Sequence, residues 1–153
     1  MIQRIQSVYL LVVFILTVLM FFFPLAHLIG ADGNVFEFIY RGIPAQQEGG
    51  EAILKAWPIA ILMGLIALDS LVTIFLYKKR MLQIRFTVFN ILLMLGLMVL
   101  IYFNVSNQAE VMNASVEYKL VNVFPLISAI LSYLAIRGIG KDEAMIRSMD
   151  RIR

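Results

Sequence analysis

Four long, uninterrupted apolar blocks constrain this chain more than any other feature. They run over about residues 5–29, 56–77, 86–103 and 121–139. A helix rising 1.5 Å per residue needs about 20 apolar residues to cross about 30 Å of hydrocarbon, and each block comes near or above that length. Spanning strands would need alternating patterns and enough segments to close a barrel, and the chain has neither. The sequence therefore predicts an all-α membrane protein, a four-transmembrane-helix bundle in a single domain over 1–153. Composition agrees, with 61% hydrophobic residues, 15% charged and a mean hydropathy of +0.89. Soluble domains run at about 45–50% apolar and about 25% charged, so one soluble core could not hide this surface.

Helix-stop chemistry marks the breaks. Gly30-Ala31-Asp32-Gly33-Asn34 follows the first block and Lys78-Lys79-Arg80 the second. Pro58 and Pro125 fall in the first turns of the second and fourth helices, where the missing N–H would be unpaired anyway. The first block exceeds the 7–15 residues of a signal-peptide core and no clean A-x-A follows, which favours a retained span.

Charge sets the orientation. Four spans put both termini on one side, with Arg4, Lys78, Lys79, Arg80, Arg85, Arg137, Lys141, Arg147, Arg151 and Arg153. That is 10 of the 13 basic residues, against only Asp142, Glu143 and Asp150, for a sum of +7. The opposite loops carry three basic and six acidic residues, a sum of −3, and Asp69 completes the net +3. Lys and Arg mark the cytoplasmic side, so the chain is expected to be multi-pass with both termini cytoplasmic. Its basic balance then reflects topology and anionic lipid at the inner face rather than nucleic acid.

The two outer loops contain VFEFIYR (35–41) and ASVEYKLV (114–121), both nearly alternating and rich in β-branched and aromatic residues. They are expected to pair with one another as a small antiparallel ribbon capping the bundle; disordered loops are the alternative, since isolated ribbons are marginal. AQQEGGE (45–51) reads as a flexible linker.

Asp69 lies inside the apolar run of the second block. Such a residue costs about 2.5–3.5 kcal/mol on insertion scales and demands a partner. The second and third blocks form a hairpin turning near 78–81, which puts Asp69 and Asn90 at equal depth. Thr73 shares the face of Asp69, while Gln83 and Thr87 share that of Asn90, so Gln83, Thr87 and Asn90 form a polar stripe able to face Asp69. Arg85 points about 140° away and is expected to snorkel. The pairs Ala60 and Gly64, and Ser128 and Ser132, have the spacing of close helix approach or of a dimer face.

The tail over 140–153 reads as a short amphipathic helix, with Glu143 and Arg147 spaced as an i,i+4 pair. It is suited to lie in the interface or along a partner. Catalysis has little to stand on. The chain has no cysteine and one histidine, His27, which excludes thiolate and paired-histidine metal sites, and no nucleophile elbow is present. No cofactor is expected. Two Asn-x-Ser sequons begin at Asn104 and Asn113 in the expected outer loop.

The stretches MIQRIQSVYLL (1–11), YKKRMLQIRFTVFNILL (77–93) and LAIRGIGKDEAMIRSMDRIR (134–153) resemble a family of short bacterial four-span inner-membrane proteins classed as a domain of unknown function. The resemblance covers essentially the whole chain. It implies a bacterial cytoplasmic membrane, where the sequons are irrelevant, and supplies no activity. By that resemblance the terminal signatures here, Gln3, Arg4 and Gln6 with Lys141, Asp142, Glu143, Arg147, Asp150 and Arg151, mark a cytoplasmic interaction face. Gln3, Gln6 and Ser7 share a helix face, so the first turn is expected to touch the tail. The expected role is a non-enzymatic accessory or scaffold, partnered by another membrane protein or a second copy. The alternative is a small transporter or channel subunit using Asp69 to bind a proton or cation. An enzyme acting on lipid is the weakest reading.

Overall fold

A computed structural model describes residues 3–30, 33–44 and 54–150, with the side chains of 3, 4, 54, 55, 78 and 146–150 outside the description. It has four helices: α1 (Gln3–Leu19), α2 (Trp57–Phe75), α3 (Arg80–Met112) and α4 (Phe124–Asp150). Each packs against two neighbours, α1 on α2 and α4, and α3 on α2 and α4, which closes a ring. α2, α3 and the stretch 120–145, a 3-10 turn running into α4, are long and apolar enough to cross a membrane, and α1 is a shorter apolar helix. The core is an apolar column that includes Val13 of α1, Met63 and Ile66 of α2, and Met94, Leu97 and Ile101 of α3.

The expected first helix over 5–29 is corrected. α1 stops at Leu19, a turn carries the chain past Pro24, and Ala26–Ile29 is a strand, β1. Proline cannot continue the helical ladder and pushes the residue before it, Phe23, out of the helical region. Hydropathy alone could not see this break, because the apolar run passes through it without a pause.

β2 (Val35–Phe38) and β5 (Ser115–Tyr118) are the two strands expected from the loops, but they do not pair with one another. β1 lies between them in a three-stranded antiparallel sheet of order β2-β1-β5. Three strands with an apolar face are a more stable unit than the two-stranded ribbon expected. Register makes the faces clear: Ala26 lies opposite Phe38 on one side and Tyr118 on the other, and His27 lies opposite Glu37 and Glu117. Ala26, Leu28 and Phe38 are buried, so that face caps the helices, while Glu37 and Glu117 on the other face are exposed. A second small sheet pairs β3 (Gly42–Ile43) with β4 (Leu54–Lys55) and was not legible in the sequence. The expected linker over 45–51 lies outside the described residues.

α3 is longer than the expected 86–103 at both ends. The apolar window marks only its middle, and no proline interrupts the polar flanks. Its stop is Asn113, which adopts a left-handed φ of 47° and ψ of 41° at the C-cap. Asparagine tolerates that geometry better than most residues. Asn104 therefore lies in helix, bonded to the Leu100 carbonyl at 2.9 Å, rather than in a loop. The expected separate tail helix is also corrected: α4 runs unbroken through Gly138 and Gly140 to Asp150. Single helical glycines cost about 1 kcal/mol each, which a packed 27-residue helix absorbs.

Candidate functional site

α2 and α3 are antiparallel and joined by the short 3-10 turn Leu76–Lys78. Residues equidistant from that turn share a depth, and this brings Asp69 to Asn90. The Asn90 Nδ2 donates to Asp69 Oδ2 at 2.7 Å. The same nitrogen lies 3.1 Å from Ser70 Oγ and 3.2 Å from the Ile66 carbonyl. Ser70 Oγ donates in turn to that carbonyl at 2.8 Å. All three side chains are buried, with Asp69 9% exposed. Two amide hydrogens thus serve three oxygens, and the carboxylate takes the shortest bond.

The other members of the expected cluster play local parts. Thr73, on the face of Asp69, donates its Oγ1 hydrogen to the Asp69 backbone carbonyl at 2.7 Å rather than to the carboxylate. Thr87 Oγ1 donates to the Gln83 carbonyl at 2.8 Å. Both are bonds to the carbonyl one turn back, a common resting place for helical hydroxyls. Gln83 is buried on the Asn90 stripe but makes no bond to Asp69. Arg85 is exposed, as its angle predicts. Sequence reasoning missed Ser70 and the Ile66 carbonyl. Adjacent residues sit about 100° apart around a helix, so a face-by-face reading assigns Asp69 and Ser70 to different neighbours. The Asn90 amide is wide enough to straddle both.

On α4, Ser128 and Ser132 are fully buried and their hydroxyls are unpaired, as is Asn90 Oδ1. Of the other small pair, Gly64 is exposed and a methyl group there would meet nothing within 4 Å, so among the described residues no other helix approaches it closely.

At the end carrying both termini, Gln6 Nε2 of α1 donates to Asp142 Oδ2 of α4 at 3.0 Å. This is the expected contact between the first turns and the tail. Gly138 makes room for it: a Cβ there would lie 3.1 Å from Gln6 Cγ and 3.2 Å from its Nε2. Gln6 is accordingly buried, and Lys141 beside the contact is exposed. The side chains of Gln3, Arg4, Arg147 and Asp150, and the whole of Arg151, lie outside the described residues.

A family model described as "Domain of unknown function (DUF4293)" matches residues 2–152. The chain belongs to this family. No curated protein matches it, and no solved structure does. Membership in DUF4293 brings no catalytic residue or cofactor, so the chemistry of the chain rests on its own side chains. Among the described residues no group of three or more metal-ligating side chains is placed to hold an ion. The polar ties between helices include Asp69–Asn90 inside the apolar layer and Gln6–Asp142 at the basic end.

Proposed function

We propose that this protein is a non-enzymatic accessory or scaffolding protein of the bacterial cytoplasmic membrane, crossing it four times with both termini inside and offering a basic cytoplasmic face to anionic lipid and to a membrane-protein partner. α1 supplies about 26 Å of helix at 1.5 Å per residue, and the apolar turn to β1 completes the crossing. The observation that carries the reading is the Asp69–Asn90 bond of 2.7 Å. A carboxylate already committed to an amide on the next helix fixes register between helices, and in membranes such bonds contribute on average about 0.6 kcal/mol, at most about 1.7. The surplus of Lys and Arg at the termini supports the orientation.

One observation favours the transporter alternative. Asn90 Oδ1 and the Ser128 and Ser132 hydroxyls are buried oxygens without partners in the helical interior, the kind of group that a permeating water or ion would satisfy.

The test compares Asp69→Asn with Asp69→Leu in detergent and in cells. Scaffolding predicts that Asn keeps both the fold and the cellular phenotype, while Leu loosens the helix pair. An Asp69→Asn protein that folds normally but loses the phenotype would show that the charge itself is used, and would overturn scaffolding in favour of proton or cation binding.

A further inference from the structure

We propose that the cleft between α3 and the β5–α4 connection binds a membrane phospholipid whose head group carries a primary ammonium. The cleft holds about 200 Å³ and is lined by Met98, Ile101 and Tyr102 of α3 with Tyr118 and Asn122. The inference rests on the membrane-spanning reading above, and it deepens that reading by assigning a lipid class to one place.

Depth comes first. Trp57 opens α2 about 21 residues before the end of the α2–α3 turn, and Tyr102 follows it by about 24. At 1.5 Å per residue the two lie within about 5 Å of one level. Both project outward, 59% and 64% exposed. Tyr118, 45% exposed, stacks on Tyr102 with ring centres 6.3 Å apart and planes 17° from parallel. Trp and Tyr collect at the boundary between hydrocarbon and head groups, so the cleft sits where a lipid's chain ends and its head group begins. Below it on α3, Val99 is 69% exposed, which puts the adjoining surface against acyl chains.

The lining then selects the chemistry. Its walls are apolar and aromatic, suited to a stretch of alkyl chain, and the volume is below the roughly 300–1,000 Å³ of sites that enclose a whole drug-sized molecule. Asn122 supplies the polar handle. Its Nδ2 is committed to the Leu25 carbonyl at 2.6 Å, while its Oδ1 is buried and unpaired. That oxygen needs a donor, and a phosphate or carboxylate oxygen brings none. Charge around the cleft points the same way. Glu110 is exposed about two turns beyond Tyr102 on α3, and Glu117 is exposed on the face of the sheet opposite Tyr118. Both favour a cation. A primary ammonium is at once a cation and a donor.

The experiment is native mass spectrometry of the full chain released from detergent after titration with phosphatidylethanolamine, phosphatidylcholine or phosphatidylglycerol of identical chains. The choline lipid keeps the charge and the phosphate but has no N–H. The wild-type chain should retain the ethanolamine lipid about tenfold better than the choline lipid. Tyr102→Ala removes one wall from an exposed position, leaves the core alone, and should bring the two to parity, as should Asn122→Leu. Equal retention of ethanolamine and choline lipids, stronger retention of the glycerol lipid, no lipid retained, or an unchanged preference in Tyr102→Ala would each overturn the proposal. The membrane reading beneath it is checked separately by flotation with liposomes: a chain that floats but shows no preference sinks the lipid site alone.

Discussion

At the scale of single residues, Asn90 matters more than the threonines around it. Its amide is the only bridge among the five polar residues expected to cluster that crosses from α3 to α2, reaching Asp69, Ser70 and the Ile66 carbonyl together. Asn90→Leu would leave a buried carboxyl without its cross-helix donor, and should destabilise the protein by about 1–2 kcal/mol, bounded by what membrane hydrogen bonds and unpaired buried groups cost. Thr73→Val and Thr87→Val delete hydroxyls whose acceptor carbonyls sit within their own helices. Those changes should each cost under about 0.5 kcal/mol, since the helix ladder itself remains. Unfolding curves of the three variants in mixed micelles test the order; a threonine variant that loses as much as Asn90→Leu would show that the polar stripe acts as one network. The pairing of Asp69 with Asn90 was legible because two apolar blocks joined by a short basic turn fix relative depth. The roles of Ser70 and Ile66 were not, because periodicity assigns faces and is blind to how far a side chain reaches around them.

Among elements, the contact of α1 with α4 depends on a missing side chain. Gly138→Ala would gain up to about 1 kcal/mol in helix propensity. It would also press on Gln6, which lies 3.1 Å from the new Cβ and is buried. Displacing Gln6 breaks its bond to Asp142, and a bond to a carboxylate contributes about 1.5–3 kcal/mol before solvent screening. The loss wins, with a net destabilisation of about 1 kcal/mol. A cysteine pair replacing Gln6 and Asp142 should crosslink readily in the wild-type background and poorly with Gly138→Ala; equal crosslinking would show that Gln6 yields without separating the helices. The helices themselves were largely legible, since α2 was expected over 56–77 and spans Trp57–Phe75. Where the reading failed, at the end of α1, hydropathy and secondary structure part company: residues 26–29 are as apolar in a strand as in a helix, and only Pro24 carried the warning.

For the whole molecule, the charge asymmetry and the sheet sit at opposite ends of the helices, so orientation can be read by chemistry at either end. Single cysteines at Glu37 and Glu117, on the exposed face of the sheet, should react in intact cells with a reagent that cannot cross the membrane. Cysteines at Lys79 and Lys141 should react only after permeabilisation. The reverse pattern would invert the topology and discard the basic cytoplasmic face. Fold class follows from the apolar blocks, and the cap from two alternating segments, but the cap's central strand was hidden inside an apparent helix. That central strand also orders events in time. A chain made from its N-terminus can zip β1 to β2 as soon as both emerge, whereas Ser115 stands 86 residues after Ile29. One edge of β1 therefore stays open through the synthesis of α2 and all of α3, and closes only when the third helix has delivered β5 to the far side. The cap is thus completed last, at β5, after α2 and α3 have been made.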